Sequence, residues 1–388
     1  MYIGITAEWN PFHEGHQHLI TVLRERFGPV PIITAMSGAF VQRGEPALFD
    51  KWHRARWAVM AGADAAVELP VLSAVSSADK FAEASVLLLS SLGCTHMAFG
   101  TESLTEESLA ESAAWAASPD FSSRFHEALA AGVSYAAAWR EAMAARDDSL
   151  SAELTQPNNM LGLQYAAAIR KHDLPLRLIT IRRDMARPLS ASAIRKEIRE
   201  KKTVSHLPSF VQKDAEILLQ KGAYTSEDRY FDACLLAARL TSESDLTRSG
   251  LFSEGLEHRW HAVMSRAASF EEGLLAVKSR RYLYSRLKRI GAALLLSRQG
   301  EASPFSAFQP PRYARLLALR PSKSTLLRAS SLPVVTSAAR GMRLLPDDAK
   351  RQLAMDIRAG NVQSLSFVSR NMRKGNEDYL HSPEILPD

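Results

Sequence analysis

Apolar and polar positions in the first half of the chain alternate in the manner of strands separated by helices. Strand-like apolar runs lie at about residues 2–7, 30–36, 65–69, 95–99 and 176–181, with segments of helical period between them. Short strands that alternate with helices are typical of a parallel sheet covered on its faces. The pattern therefore predicts an α/β fold.

The alternation stops near Lys202, and the rest of the chain has mostly helical periodicity. A chain of 388 residues has room for two domains of ordinary size. We therefore expect an α/β domain over residues 1–202 and a mainly α-helical domain over residues 203–388. Within the first, Asp50 is predicted to cap a helix over residues 51–61, and Gly62 to end it.

The composition is that of a soluble globular protein, with 46% hydrophobic and 23% charged residues. The net charge of +6 is compatible with a polyanionic partner. Two cysteines, Cys94 and Cys234, without a Cys-x-x-Cys spacing, predict a reducing compartment and no metal site. The first residues do not resemble a signal peptide, and no apolar run reaches about 18 residues. We expect a cytoplasmic protein that is not inserted in a membrane.

The first strand runs into a turn that carries two histidines around a glycine. The strand breaks at Asn10–Pro11, and His13, Gly15 and His16 follow at the start of a helix. The two imidazoles can share one face of the first turn with free backbone N–H groups, and Gly15 lets a ligand approach. Such donors suit the charge that develops on an α-phosphate. A surface histidine pair would look the same, but the position after the first strand favours a nucleotide site.

Ligands of parallel sheets bind at the carboxyl ends of the strands, so the residues after each strand are the next candidates. A glycine-containing loop over residues 36–47 follows the second strand and is too long for a simple connection, which indicates a function. Gly100 follows the fourth strand and either admits a base or ribose or serves only a turn. Asn158 and Asn159 open a later helix, where they either cap it or bind a base.

The fifth strand ends at Arg182 and Arg183, and Ser190, Ser192 and Arg195 follow at the start of another helix. Hydroxyls at a helix start, with an arginine one turn later, form a second candidate phosphate site. A capped amphipathic helix with a solvated arginine explains the same residues. Two such turns in one α/β domain would lie at the same sheet edge, which favours the phosphate interpretation.

A basic segment with interleaved tyrosines occupies residues 278–289 of the helical half. Its charges and rings suit phosphate contact and base stacking, with Arg280, Arg281, Arg286 and Arg289 as candidate RNA ligands. A solvated helix face is the alternative. The alanine-rich helices over residues 102–153 carry no recognisable chemistry.

Taken in order, these blocks resemble the bacterial tRNA(Met) cytidine acetate ligase family, a branch of the HIGH-motif nucleotidyltransferase superfamily. His-x-Gly-His is a weak signal alone, whereas five blocks in order are specific. The resemblance extends into the helical half, so it covers most of the chain. The blocks lie at residues 8–16, 36–38 with 42–47, 99–102, 157–159 and 190–195, followed by 254–257 and 278–289.

The resemblance implies a Rossmann-like nucleotidyltransferase domain with a parallel sheet, followed by a mainly α-helical C-terminal domain that contributes to tRNA binding. It implies ATP-dependent acetylation of the exocyclic amine of the wobble cytidine in elongator tRNA(Met), with free acetate as donor and AMP and pyrophosphate as products. ATP would contact Gly100, one of Asn158 and Asn159, and Arg182 or Arg183. It would also contact Thr6, Ala7, Glu8, Trp9, Asn10, Pro11, Phe12, His13, Glu14, Gly15, His16, Gln17, His18 and Leu19.

The chain departs from the family pattern in three places. Trp9 stands where tyrosine is usual, and Glu14 stands where asparagine is usual and adds a negative charge near phosphate. The segment between Arg183 and Ser190 is shorter than in the family, which leaves the choice between Arg182 and Arg183 open.

The implied mechanism has two steps. Acetate attacks the α-phosphate and gives acetyl-adenylate and pyrophosphate, and the cytidine amine then attacks the acetyl carbonyl. His13 and His16 would stabilise the phosphate charge, while Mg²⁺ would accompany ATP and Ser190, Ser192 and Arg195 would hold the β- and γ-phosphates. The alternatives are a nucleotidyltransferase that adenylylates a small phosphorylated metabolite, and an RNA-binding protein with a degenerate ATP site.

Overall fold

The five apolar runs of the first half form parallel strands close to the predicted positions. The computed structural model describes residues 1–183, 190–201 and 203–388. Two of the strands are buried throughout, as expected for a parallel sheet under helices. The strands of the chain are β1 (Ile3–Ala7), β2 (Ile32–Ser37), β3 (Phe40–Val41), β4 (Glu45–Pro46), β5 (Ala65–Leu69), β6 (His96–Thr101), β7 (Arg177–Arg182), β8 (Ala314–Leu319), β9 (Val334–Val335) and β10 (Glu384–Ile385).

Helices connect the strands and form most of the second half. The helix after Asp50 begins as predicted, because the Asp50 carboxylate accepts the His53 N–H at 3.0 Å. Within the described residues, no helix has both the length and the apolar character needed to cross a bilayer. The helices are α1 (Glu14–Phe27), α2 (Lys51–Met60), α3 (Val71–Ala74), α4 (Ala78–Ser91), α5 (Glu106–Ala116), α6 (Pro119–Ala130), α7 (Tyr135–Ala144), α8 (Asp148–Glu153), α9 (Pro157–Lys171), α10 (Ala191–Lys201), α11 (Ser209–Lys221), α12 (Glu227–Leu240), α13 (Glu243–Arg248), α14 (Leu256–Met264), α15 (Phe270–Val277), α16 (Tyr284–Leu296), α17 (Ala338–Leu344), α18 (Asp347–Leu365) and α19 (Glu377–Leu380).

The main sheet has the strand order β10-β8-β5-β2-β1-β6-β7, with β9 also paired to β8. β1 pairs in parallel with β2 on one side and β6 on the other, so the chain order reverses at β1. α4 covers β1 so closely that a Cβ on Gly4 would lie 2.7 Å from the Leu89 methyl carbons. Crevices at such reversal points, beyond the carboxyl ends of the strands, are the usual ligand sites of α/β sheets.

The C-terminal half contributes strands as well as helices. β8 pairs antiparallel with β5, and β9 and β10 pair in parallel with β8, so the sheet is mixed rather than wholly parallel. The apolar periodicity did not predict β8, because a short apolar run that is fully buried is compatible with either a strand or a helix. The two halves thus share one sheet. Residue 202, the proposed boundary, lies outside the described residues, and the division into two domains stays a prediction.

A buried cluster of charges joins the halves beside β5 and β8. Lys51 Nζ lies 2.7 Å from Glu68 Oε1 and 2.6 Å from Asp378 Oδ1. Arg315 pairs with Asp378 and lies 3.6 Å from Glu68 Oε2. Burial, and then the charge of Glu68, raises the pKa of Asp356, which favours its neutral form. Two cations are therefore balanced by two carboxylates, Glu68 and Asp378.

Loss of the Asp378 charge should weaken this junction. In Asp378→Asn, Lys51 and Arg315 face Glu68 alone, and an uncompensated buried charge costs about 3–5 kcal/mol. We expect the free energy of unfolding in urea to fall by that amount. Asp347→Asn is the control, because its side chain is 87% exposed and surface changes cost within about 0.5 kcal/mol. Equal stabilities for the two variants would contradict a joining role for Asp378.

Candidate active site

His13 and His16 form the N-terminal cap of α1. His13 Nδ1 accepts the Gly15 N–H at 3.1 Å, and His16 Nδ1 accepts the His13 N–H at 3.3 Å. The rings stack with centroids 3.7 Å apart. Because both Nδ1 atoms accept, each neutral ring carries its proton on Nε2. Within the described residues neither Nε2 has a protein partner, so the turn offers two adjacent N–H donors.

Both histidines are held in the neutral state. Burial, followed by the charges of Arg183 and Arg195, lowers the pKa of His13 to about 4. Burial, followed by the charges of His13 and Arg183, lowers the pKa of His16 well below its usual value. At neutral pH the pair therefore donates hydrogen bonds without carrying a positive charge.

Aromatic packing and a glycine fix the ring positions. Trp9 is buried with a φ of +42°, an uncommon conformation for a bulky residue, and its ring lies 5.3 Å from Phe12 and 6.4 Å from His16. A Cβ on Gly15 would lie 3.0 Å from His13 Cε1. Gly15 is thus needed for the His13 ring to fold over the helix start, and its proposed role in admitting a ligand stays a prediction.

The second candidate phosphate turn contacts the first. Arg195 Nη1 donates to Asn10 O at 2.7 Å, and its Nη2 donates to Ser192 Oγ at 3.1 Å. Ser190 Oγ accepts the Ala193 N–H at 3.2 Å and so caps α10. The two turns therefore meet at one sheet edge. Whether they bind phosphate stays a prediction, and the unusually short stretch between Arg183 and Ser190 lies outside the described residues.

The asparagine pair divides into a structural and an available member. Asn159 is fully buried, and its Oδ1 accepts from Thr101 Oγ1 at 2.7 Å and from the Glu102 N–H at 3.0 Å. Its Nδ2 donates to Ser103 Oγ at 2.9 Å. Asn158 lies at the cavity surface, and its Nδ2 donates to Glu102 Oε1 at 2.6 Å. Asn159 thus holds the chain after β6, whereas Asn158 lines the cavity and its contact with a ligand stays a prediction.

Arg183 crosses the end of β6. A Cβ on residue 100 would lie 3.3 Å from Arg183 Cγ. The absence of a side chain at Gly100 therefore leaves space that the Arg183 side chain occupies. Arg183 Nη1 also lies 3.4 Å from Glu102 Oε1. Arg182 and Arg183 both line the cavity, and the choice between them stays open.

The predicted functional loop over residues 36–47 is a hairpin of β3 and β4 that is mostly buried. The C-terminal half packs against this hairpin, and Tyr230 OH donates to Gly44 O at 2.7 Å. The backbone of Arg289 also approaches closely, since a Cβ on Gly44 would lie only 2.7 Å from it. Only Arg43 of the hairpin is exposed. The loop therefore forms a wall of the cavity rather than a mobile surface.

Arg54 anchors that wall to the turn after β1, and sequence analysis did not identify it. Its guanidinium donates to Glu8 O at 2.6 Å and to Ser37 O at 3.0 Å. Burial lowers the pKa of Arg54 to about 10, so it stays protonated at neutral pH. Glu8 Oε1 accepts the Gln42 N–H at 2.9 Å, and burial raises the pKa of Glu8, which favours its neutral form.

The basic segment over residues 278–289 reaches the same cavity, but two of its four arginines already have partners. Arg281 pairs with Glu254. Arg286 donates to Ser253 Oγ at 3.1 Å. Burial lowers the pKa of Arg289 to about 10. Arg280 is exposed, though it does not line the cavity.

One cavity of about 1800 Å³ connects these elements. Thr6 lines it, and the buried Thr6 Oγ1 has no hydrogen-bond partner among the described residues. The predicted residues Pro11, Phe12, Gln17, Asn159 and Arg280 do not line it. Those that do are Thr6, Ala7, Glu8, Trp9, Asn10, His13, Glu14, Gly15, His16, His18, Leu19, Gly100, Asn158, Arg182, Arg183, Ser190, Ser192, Arg195, Arg281, Arg286 and Arg289.

Several residues that line the cavity are not predicted from the sequence. Tyr135 and Arg140 come from α7, in the alanine-rich region that carries no recognisable motif. Tyr224, Ser226 and Val368 come from the C-terminal half. No local signal distinguishes these residues, since only tertiary packing brings them to the cavity.

The depressed pKa of His13 should make the stability of the fold depend on pH. Between about pH 6.5 and 4 the unfolded chain binds a proton at this ring and the folded chain does not, so stability falls as the pH is lowered through that window. The depression corresponds to roughly 3 kcal/mol. His13→Asn keeps a capping acceptor, and we expect its unfolding free energy, measured in urea, to fall less between these pH values. Parallel curves for wild type and variant would exclude a neutral, buried His13.

The chain is similar to proteins of one known family. Residues 1–378 match the family model described as HIGH Nucleotidyl Transferase. The chain is 35% identical to the tRNA(Met) cytidine acetate ligase of Latilactobacillus sakei over 306 residues, which cover 76% of this chain and 77% of the relative. It is 32% identical to that of Listeria monocytogenes over 407 residues, which cover 99% and 98%.

A solved structure is similar over its full length. The crystal structure of Thermotoga maritima TmcAL bound with alpha-thio ATP superposes with a TM-score of 0.93 at 30% identity, and each chain is covered completely. Its apo form gives a TM-score of 0.92 at 29% identity. The predicted fold class is thereby confirmed. The chain belongs to the HIGH nucleotidyl transferase family and, within it, to the tRNA(Met) cytidine acetate ligases.

Proposed function

We propose that this protein is an ATP-dependent ligase that activates acetate as acetyl-adenylate and acetylates the exocyclic amine of the wobble cytidine of elongator tRNA(Met). The product would be N4-acetylcytidine. The observation that carries the proposal is the pair of neutral Nε2–H donors of His13 and His16 beside the point where the strand order reverses. The names of the relatives and the nucleotide analogue in TmcAL support it.

The first step would take place against the capped turn of α1. An oxygen of acetate attacks the α-phosphorus of ATP, and pyrophosphate leaves with the electrons of the broken P–O bond. Charge on the phosphate oxygens rises during this step, and preorganised donors stabilise it without first having to reorient. His13 and His16 would supply these donors, while Arg195, Ser190 and Ser192 would hold the outer phosphates.

The second step needs a cytidine close to the acetyl-adenylate. Its amine attacks the acetyl carbon, AMP leaves, and the amine loses one proton. A volume of about 1800 Å³ exceeds the roughly 300–1,000 Å³ of ordinary small-molecule pockets. The cavity therefore has room for a nucleotide and a second, larger substrate, which favours this proposal over the adenylylation of a small metabolite.

Mg²⁺ would enter with ATP in this proposal. Within the described residues, no group of three His, Cys, Asp or Glu side chains is placed to hold a metal ion. The triphosphate oxygens and water would then provide most ligands, as is common for Mg²⁺ bound to nucleotides. The ion would neutralise phosphate charge. A cytoplasmic location, where ATP and tRNA occur together, completes the proposal.

ATP–pyrophosphate exchange with a panel of short carboxylates tests the first step. We expect exchange that requires acetate, followed by acetate transfer to a tRNA(Met) transcript when that RNA is added. Exchange that depends instead on a phosphorylated metabolite would support the nucleotidyltransferase alternative. RNA binding without any exchange would support a degenerate ATP site.

Loss of either imidazole should slow activation strongly. One preorganised donor contributes on the order of 3 kcal/mol to such a transition state, so we expect exchange to fall about 10²–10³-fold in His13→Ala and in His16→Ala. His96→Ala is the control, because His96 lies at the opposite end of β6 and outside the cavity. Urea unfolding would separate the loss of the cap from the loss of chemistry. Exchange near the wild-type rate in either variant would remove that histidine from the mechanism.

The arginines of residues 278–289 would contact the tRNA. Neutralising Arg280, Arg281 and Arg286 to glutamine should reduce acetate transfer more than acetate-dependent exchange. The slope of the logarithm of the tRNA binding constant against the logarithm of the salt concentration should become shallower by about one unit per lost phosphate contact. Arg289 is left in place, since its burial would make its removal a test of packing. An unaltered salt slope in folded protein would identify the segment as a solvated helix face.

A further inference from the structure

A second group of basic side chains lies at the rim of the cavity. Arg229 is in the first turn of α12, and Arg370, Arg373 and Lys374 follow α18. Arg229, Arg370 and Lys374 are exposed, and Arg373 is half-buried. These four residues are named the rim cluster below. Arg229 is about 140 positions from the other three residues in the sequence, so no local pattern predicts that the four lie together.

Main-chain pairing brings the two parts of the rim cluster together. The backbone of residues 222–226 pairs antiparallel with that of residues 366–369 through three hydrogen bonds of 2.9, 3.1 and 3.0 Å. A Cβ on Gly222 would lie 2.7 Å from Ser369 Cβ, so the two strands approach closely. This pairing sets the start of α12 beside the 3-10 turn Arg370–Met372.

The cluster is anchored to residues that line the cavity. Arg373 donates from Nε to Phe367 O at 2.8 Å and from Nη2 to Val368 O at 2.9 Å. Val368 and Ser226 are part of the cavity lining. The guanidinium of Arg373 is therefore fixed against the backbone of a lining residue, Val368.

The positive charges of the rim cluster are not neutralised by the protein. Among residues 1–183, 190–201 and 203–388, no carboxylate oxygen lies within 4 Å of a cationic nitrogen of the four. Of the two acidic residues that precede Arg229, Glu227 is paired with Arg199, and Asp228 forms no ion pair with any of the four cations. Desolvation, followed by the charges of Arg229 and Arg370, lowers the pKa of Arg373, which is consistent with cations held close together.

We infer that the rim cluster binds backbone phosphates of the tRNA whose cytidine enters the cavity. The inference rests on the proposed function and adds a tRNA surface to it. Like charges held together without carboxylates are unfavourable in the free chain, and a polyphosphate strand both relieves this repulsion and releases counterions. Contacts of this kind position a nucleic acid without identifying its sequence. By contrast, Arg281 of the 278–289 segment is already neutralised by Glu254.

The test compares two triple variants that lose the same net charge. Arg229→Gln/Arg370→Gln/Lys374→Gln removes the rim cluster except Arg373, which is kept because it bonds two backbone carbonyls. Arg328→Gln/Arg340→Gln/Arg343→Gln removes three exposed arginines that do not line the cavity. Binding of labelled tRNA(Met) is measured across a potassium chloride series. Acetate-dependent exchange without RNA serves as the check on folding.

We expect the salt slope of the rim variant to flatten by about two to three units and that of the control by less than one. Equal flattening in both variants would attribute the effect to net charge alone and overturn the inference. A wild-type slope in the rim variant would also overturn it. Loss of binding to phosphatidylcholine–phosphatidylserine vesicles with an unaltered tRNA slope would assign the cluster to anionic lipid instead. Wild-type protein that binds the tRNA but does not acetylate it would count against the proposed function. Failure of the proposed function can therefore be told apart from failure of the inference about the rim cluster.

Discussion

The chemistry proposed for this protein depends on two imidazoles that the backbone of a single helical turn both orients and keeps neutral. Each Nδ1 must stay unprotonated to accept the hydrogen bond that caps α1. The cap therefore requires neutral rings that carry their proton on Nε2. The same hydrogen bonds leave both Nε2–H groups available on adjacent, stacked rings. Neutral donors beside Arg183 and Arg195 avoid further repulsion between like charges, while they can still stabilise charge on a phosphate.

This turn keeps its shape because the rest of the fold surrounds it with fixed contacts. Trp9 and Phe12 pack against the His16 ring, and Arg195 of the second turn donates to the Asn10 carbonyl. Arg54 links the same loop to the hairpin of β3 and β4 through backbone carbonyls. Among the described residues, the turn is thus held by ring packing and by hydrogen bonds to backbone carbonyls.

The C-terminal half completes both the sheet and the cavity. β8 adds to β5, and two ion pairs cross between the halves, Lys51 with Asp378 and Arg315 with Glu68. The same packing sets α16 against the hairpin, and the 278–289 segment and the histidine turn line the same cavity. A ligase that joins an activated acid to RNA needs both substrates in one space, and the shared cavity provides it.

The sequence by itself determined the elements whose signals are local. Apolar periodicity located β1, β2, β5, β6 and β7 to within about two residues, Asp50 identified the start of α2, and the ordered blocks around His13 and Arg195 identified the family. These features follow from neighbours a few positions apart along the chain, which a sequence displays directly.

The tertiary structure alone decided the features that depend on distant partners. It distinguished Asn159, whose amide is fully bonded to the chain after β6, from Asn158, which faces the cavity. It placed β8 in the sheet, buried the hairpin that looked like a loop, and paired Arg281 with Glu254. The state of a polar or apolar side chain depends on what is packed against it, and those partners lie tens to hundreds of residues away in the sequence.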